Sequence, residues 1–171
     1  MRSFGAKIDK LGSGIHIAAP DGLKGAVIDL PYPSVGATEQ TLLAGVQAEG
    51  ITELRGAAIE PEIMDLINVL QKMGAIISVD TDRTIRIEGV EYLEGFNHTA
   101  LADRIEAASW ASAALATQGD VFVEGASQPE MITFLNMFRN VGGAFSVEPD
   151  GIRFYHTGGE LTTIVQDPNV H

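Results

Sequence analysis

The chain has 171 residues, 45% of them hydrophobic, enough for one ordinary domain or two small ones with a sizeable core. Acidic residues number 23 against 11 basic ones, a formal net charge of −12; the scattered Lys and Arg form no basic stripe, so no nucleic-acid partner is expected. There is no cysteine, which excludes disulfides and thiolate chemistry, and neither a run of roughly 18 apolar residues nor the apolar core of a signal peptide is found, so no membrane partner and a cytoplasmic location are expected.

In chain order, the first strong signals are FGAKI (4–8), GIHI (14–17) and GLKG (22–25), which become meaningful only against later segments. GAVIDL (25–30) predicts a strand, and a helix follows over about 36–48. TELRG (52–56) predicts a strand and residues 61–73 a second helix. In that helix Ile63, Leu66, Ile67 and Leu70 fall on one face, while Asp65, Asn68, Gln71 and Lys72 face away. Gly74 is placed to end it. AIISVD (75–80) and TIRIEG (84–89) predict a strand pair.

The same series then repeats. FNHTAL (96–101) predicts a lead-in strand, 103–117 a helix, DVFVEG (120–125) a strand and 129–141 a helix ending at Gly142. AFSVE (144–148) and GIRFYH (151–156) close the unit. Residues 61–79 and 129–147 align without a gap, with P, E, N, G, S and V identical. EGITELRGAA, from 49, and QGDVFVEGAS, from 118, align at almost the same offset. FGAKI, GIHI and GLKG mirror MGAII (73–77), TIRI (84–87) and YLEG (92–95). An ordered repeat of this kind marks duplication of one supersecondary unit. The predicted fold class is therefore α/β (α+β): two full β-α-β-α-β-β units plus the tail of a third. A chain opening in the tail of a unit reads as a portion of a longer protein. The first helix of each unit, TLLAGVQA or AASWASAALA, is small and bare, which suits a buried position, and Trp110 is expected in the core.

Three short stretches carry candidate chemistry, each with a purely structural alternative. In Tyr32-Pro33-Ser34-Val35-Gly36, Ser34 can cap a helix and Gly36 give backbone freedom; equally, the exposed N–H groups of that helix start can hold a diphosphate. Glu60-Pro61-Glu62 fits a helix start, with proline in the first turn and carboxylates near the positive end. Asp103-Arg104-Ile105-Glu106 fits a capping box, with Asp103 as N-cap and Glu106 reaching back. Arg104 is unexplained by that box, because a cation opposes the dipole there, so an acid or anionic ligand beside it is expected. The histidines His16, His98, His156 and His171 lack metal-ligand spacing, so no metal site is expected. The tail TGGELTTIVQDPNVH reads as a linker with a turn at Asp167-Pro168-Asn169.

PSVGATE, AEG, AAIEPEIMDL, MGA, IRIEGVE and DRIEA occur in that order. This ordered set resembles the UDP-N-acetylglucosamine 1-carboxyvinyltransferases, a family of enolpyruvyl transferases, over about residues 22–147. The resemblance implies an inverse α/β prism with two domains of three units each. It places the domain junction near Ala102-Asp103, so that residues 1–101 would end the first domain and residues 102–171 begin the second. It implies transfer of the enolpyruvyl group of phosphoenolpyruvate to the 3-hydroxyl of UDP-N-acetylglucosamine with release of phosphate, and no cofactor. Tyr32, Pro33, Ser34, Val35 and Gly36 would contact the UDP-sugar, and Glu60, Glu62, Asp103 and Arg104 would lie near the interdomain cleft. The family's proton-donating loop, its lysine-asparagine pair and its catalytic aspartate have no counterpart here, so no catalytic residue is expected in this chain and alone it should be inactive. The sequence departs from the family at Tyr32 (often lysine), Ile59 (commonly arginine) and Ala102 (usually proline). A 5-enolpyruvylshikimate-3-phosphate synthase-like enzyme, a diverged non-catalytic paralogue and a repeat scaffold stay open. Uncovered apolar surface should promote self-association.

Overall fold

The computed structural model describes residues 1–163, which fall into two units, Met1–Ala100 and the part that begins at Leu101. The predicted turn at Asp167-Pro168-Asn169 lies outside the described residues.

Unit 1 opens with a short 3-10 turn, Arg2–Phe4, and an antiparallel hairpin of β1 (Lys7–Leu11) and β2 (Gly14–Ala18). It continues through β3 (Val27–Asp29), α1 (Val35–Gly45), β4 (Ile51–Arg55), α2 (Pro61–Lys72), β5 (Ile76–Val79) and β6 (Ile85–Glu88). The sheet order is β3-β4-β6-β5. β3 runs parallel to β4, with Ile28 opposite Leu54, and the other pairs are antiparallel. The apolar face of α2 inserts Ile63, Ile67 and Leu70 against Leu54, Ile77, Ile85 and Ile87 of the sheet and Leu42 and Val46 from the α1 side. Alternate strand positions point to one face, so Leu54, Ile85 and Ile87 are fully buried while Arg55, Arg86 and Glu88 are exposed.

Unit 2 contains α3 (Arg104–Ala116), β7 (Asp120–Glu124), α4 (Gln128–Asn140), β8 (Gly143–Glu148) and β9 (Gly151–His156). Its sheet order is β7-β9-β8, all antiparallel. The core is more aromatic than that of unit 1. Phe138 of α4 meets Phe154 of β9 edge-on at 5.5 Å between ring centroids, over Met131, Leu135 and Ile152. Edge-to-face packing of this kind adds to the burial of the rings. Gly74 and Gly142 follow their helices at φ +97° and +103°, where only glycine sits without strain.

Three expectations need correction. FNHTAL forms no strand, and His98 is instead taken up by Asp65 and Lys72 of α2. The bare helices are half-covered rather than enclosed. α1 buries Thr38, Thr41, Leu42 and Gly45, and α3 buries Ala107, Ala111, Ala114 and Leu115, but the opposite faces are open. Trp110 is accordingly not a core residue but 53% exposed. Each unit supplies one covered side to its small helix, and nothing among the described residues of that unit covers the other.

Candidate functional site

The stretch around Ser34 is shaped by its prolines and by one buried hydroxyl. Pro33 disfavours the helical region for Tyr32, and Tyr32 is 66% exposed. Ser34 is the N-cap of α1, in extended conformation at φ −89° and ψ 120°. Its Oγ accepts the Ala37 N–H at 3.3 Å, and its carbonyl accepts both the Thr38 N–H at 3.0 Å and the Thr38 hydroxyl at 2.8 Å. The N–H groups of Val35 and Gly36, first in the helix, have no intrahelical acceptor by construction. Gly36 has no positive φ, so the expected need for glycine freedom is not met. Instead, the space where a Gly36 side chain would stand is open.

Thr38 Oγ1 also accepts the Ala58 N–H at 3.0 Å. This ties the start of α1 to the segment that enters α2, so Ser34 and Glu60 belong to one locality although 26 positions separate them in sequence. Glu60 is the N-cap of α2 yet makes no side-chain cap bond, and its Oε2 is buried without a hydrogen-bond partner among the described residues. Pro61 occupies the first turn, and Glu62 stands in that turn close to the positive helix end. Ile59 is exposed beside them. The predicted nucleotide-sugar residues and the two glutamates are therefore brought together within unit 1.

Asp103 and Arg104 lie in unit 2. Asp103 Oδ1 accepts the Ile105 and Glu106 N–H groups at 2.8 and 3.1 Å, so the cap is real. The reciprocal half of the box differs from expectation, because the Glu106 carboxylate accepts the Trp110 indole N–H at 3.3 Å, one turn along the helix. Arg104 is half-buried and not free. Asp103, Glu106 and Trp110 line a cavity of about 460 Å³ between α3 and β7.

One polar cluster had no expected role. His98 Nε2 lies 3.0 Å from Asp65 Oδ2, and Lys72 Nζ lies 3.1 Å from His98 Nδ1. Lysine can only donate, so Nδ1 accepts and Nε2 carries the proton given to Asp65. The side chains of His98 and Asp65 are 12% and 17% exposed. Asp65 thus does not face away as the periodicity predicts; the connector after β6 covers it. Asp65 and Lys72 share a helix face, a legible signal, but the histidine 26 residues beyond Lys72 carries no local mark. Among the described residues no His, Asp and Glu cluster could hold a metal, and no helix is long and apolar enough to cross a membrane.

Unit 1 holds one full β-α-β-α-β-β unit, and unit 2 repeats it without the first strand among the described residues. The family model for EPSP synthase (3-phosphoshikimate 1-carboxyvinyltransferase) matches residues 1–167, and the chain belongs to that family. Within it, the chain is 54% identical to the UDP-N-acetylglucosamine 1-carboxyvinyltransferase of Protochlamydia amoebophila, across 100% of this chain and 38% of that protein. It is 48% identical to the enzyme so named from Chlamydia abortus, again over 100% of this chain and 38% of that protein. The chain thus spans about 38% of the length of these relatives. Among solved structures, the enolpyruvyl transferase NikO from Streptomyces tendae superposes with a TM-score of 0.79 at 23% identity, over 94% of this chain and 41% of that one. The EPSP synthase from Acinetobacter baumannii gives 0.66 at 24% identity, over 95% of this chain and 39% of that one. At such identities the likeness is one of fold.

Proposed function

We propose that this chain is the part of a UDP-N-acetylglucosamine 1-carboxyvinyltransferase that holds the nucleotide sugar while phosphoenolpyruvate donates its enolpyruvyl group. The observation that carries this is identity of 54% and 48% to two enzymes of that name across the whole chain. The local geometry is compatible. The α1 start offers two amides without intrahelical acceptors, and Gly36 leaves room for a close approach. Tyr32, Pro33, Ser34, Val35 and Gly36 are assigned to the UDP-sugar. Ser34 acts mainly through its backbone, since its Oγ already serves Ala37. Tyr32 presents an exposed ring that can stack or donate a hydrogen bond where a lysine would supply charge.

Glu60, Glu62, Asp103 and Arg104 are assigned to the cleft of the complete enzyme, with residues 1–101 in one domain and 102–171 in the other. No catalytic residue is assigned in this chain, and neither cofactor nor metal is invoked. A cytoplasmic location is part of this proposal. A 5-enolpyruvylshikimate-3-phosphate synthase-like activity is disfavoured, because relatives at 54% and 48% identity are named for the UDP-N-acetylglucosamine reaction, whereas the solved EPSP synthase is 24% identical.

The test is an amide chemical-shift titration of the chain with UDP-N-acetylglucosamine, beside phosphate release from phosphoenolpyruvate by the complete enzyme. Shifts centred on Val35 and Gly36, with turnover in the complete enzyme only, are expected. Saturable shifts elsewhere, or a complete enzyme that prefers shikimate 3-phosphate, would overturn the assignment.

A further inference from the structure

The duplication makes each unit a control for the other. The small helices start alike, with Ser34 capping α1 and Asp103 capping α3. Each cap carbonyl accepts the first N–H of the helical ladder, from Thr38 at 3.0 Å and from Ala107 at 3.1 Å. Two differences separate the copies. Asp103 Oδ1 takes up the Ile105 and Glu106 N–H groups, whereas Ser34 Oγ takes up that of Ala37 alone. Thr38 and Ala107 hold the same place after the cap, at 0% and 2% exposure, so α1 has a buried hydroxyl where α3 has none.

A helix start of this plan therefore folds without the hydroxyl, as α3 does. In α1 the hydroxyl is fully engaged. It donates to the Ser34 carbonyl at 2.8 Å and accepts the Ala58 N–H at 3.0 Å. Ala58 is itself held, because it is fully buried and the neighbouring Ala57 N–H bonds the Arg83 carbonyl at 3.0 Å. The Ser34 carbonyl is thus gripped both by its own helix and, through Thr38, by the segment leading to α2. That carbonyl and the Val35 N–H belong to one planar trans peptide, in which they point in opposite directions. Fixing the carbonyl inward fixes the Val35 N–H outward. The Val35 side chain packs on the core, and the space over Gly36 is open.

We propose that Thr38 is a positioning residue of the nucleotide-sugar site: its hydroxyl touches no ligand but aims the Val35 amide at the diphosphate. A donor held in place before binding loses less on binding than one that must be ordered. Unit 2, where Asp103 already occupies two of the amides an anion would need, has no such hydroxyl. The inference rests on the nucleotide-sugar reading and adds to it a residue beyond Tyr32, Pro33, Ser34, Val35 and Gly36.

The test is an amide chemical-shift titration with UDP-N-acetylglucosamine of the parent chain, T38V, T38S and I67V, at a temperature where denaturant unfolding shows all of them folded. I67V trims the core under α2 and lowers stability without touching the α1 start. T38V is expected to bind about three- to tenfold more weakly, the scale of one hydrogen bond, with T38S and I67V at the parent Kd. T38V binding as tightly as the parent would overturn this role and leave the nucleotide-sugar reading in place. An equal loss in I67V would also overturn it, reducing the hydroxyl to a stabilising bond. A parent chain without shifts at Val35 and Gly36 would overturn that reading, and this role with it.

Discussion

Thr38 and Ala58, twenty positions apart, are joined by a 3.0 Å hydrogen bond between a buried hydroxyl and a buried backbone N–H. The same hydroxyl donates to the Ser34 carbonyl. One side chain therefore positions both the capped start of α1 and the approach to α2. The replacement T38V keeps the shape but leaves the Ala58 N–H without its acceptor, at a cost of about 1–3 kcal/mol. Denaturant unfolding should show that loss, with T38S close to the parent. A T38V chain of unchanged stability would show that Ala58 finds another acceptor.

The aromatic core of unit 2 gives a larger effect. Phe154 is fully buried between Phe138 and Phe145, and F154A should cost ~3–5 kcal/mol. Because the units have separate cores, hydrogen exchange should rise in α4 and β8 while α2 and β6 stay protected. A uniform rise would mean the two cores unfold as one.

His98 holds the connector to α2 through Asp65 and Lys72, alongside the Glu94 N–H bond to the Met73 carbonyl at 2.8 Å. In H98A, exchange between residues 95 and 100 should increase with little change at Val90, whose N–H is held by the Val46 carbonyl at 2.8 Å. Equal exchange in both proteins would show that backbone bonds alone secure the segment.

The hairpin of β1 and β2 exposes Ile15 and Ile17 on one face and Leu11 on the other. Concentration-dependent association is expected in sedimentation velocity, weakened by the pair I15K and I17K. Association unchanged by those replacements would move the contact to another surface.

Lys24 donates to the Glu49 carboxylate, and this hydrogen bond, more than the accompanying charge attraction, holds Glu49 below its ordinary pKa of 4.5. A depressed carboxylate contributes stability above its unfolded pKa and loses it as pH falls through the folded value. In K24M, the Glu49 titration followed by NMR should move up toward 4.5. The pair is exposed, so solvent screens it and the effect on unfolding should be small.

Much of this architecture is local and so was legible in the residues. The i, i+3, i+4 spacing of Ile63, Ile67 and Leu70 and the glycines at 74 and 142 fix α2 and α4 with their ends, because helix periodicity and the left-handed cap are properties of a short stretch. Ser34 and Asp103 are caps for the same reason. The duplication, too, is a property of the linear pattern. What only the tertiary structure decided depends on neighbours distant in sequence. FNHTAL has the strand-like position but not a strand, and His98 is held by Asp65 and Lys72 of α2, partners that no local pattern marks. Trp110 is on the exposed side because its helix is covered on one face alone. Thr38 links Ser34 to Ala58 only once α1 and α2 pack, since a hydroxyl's partner is set by proximity in space and not by its place along the chain.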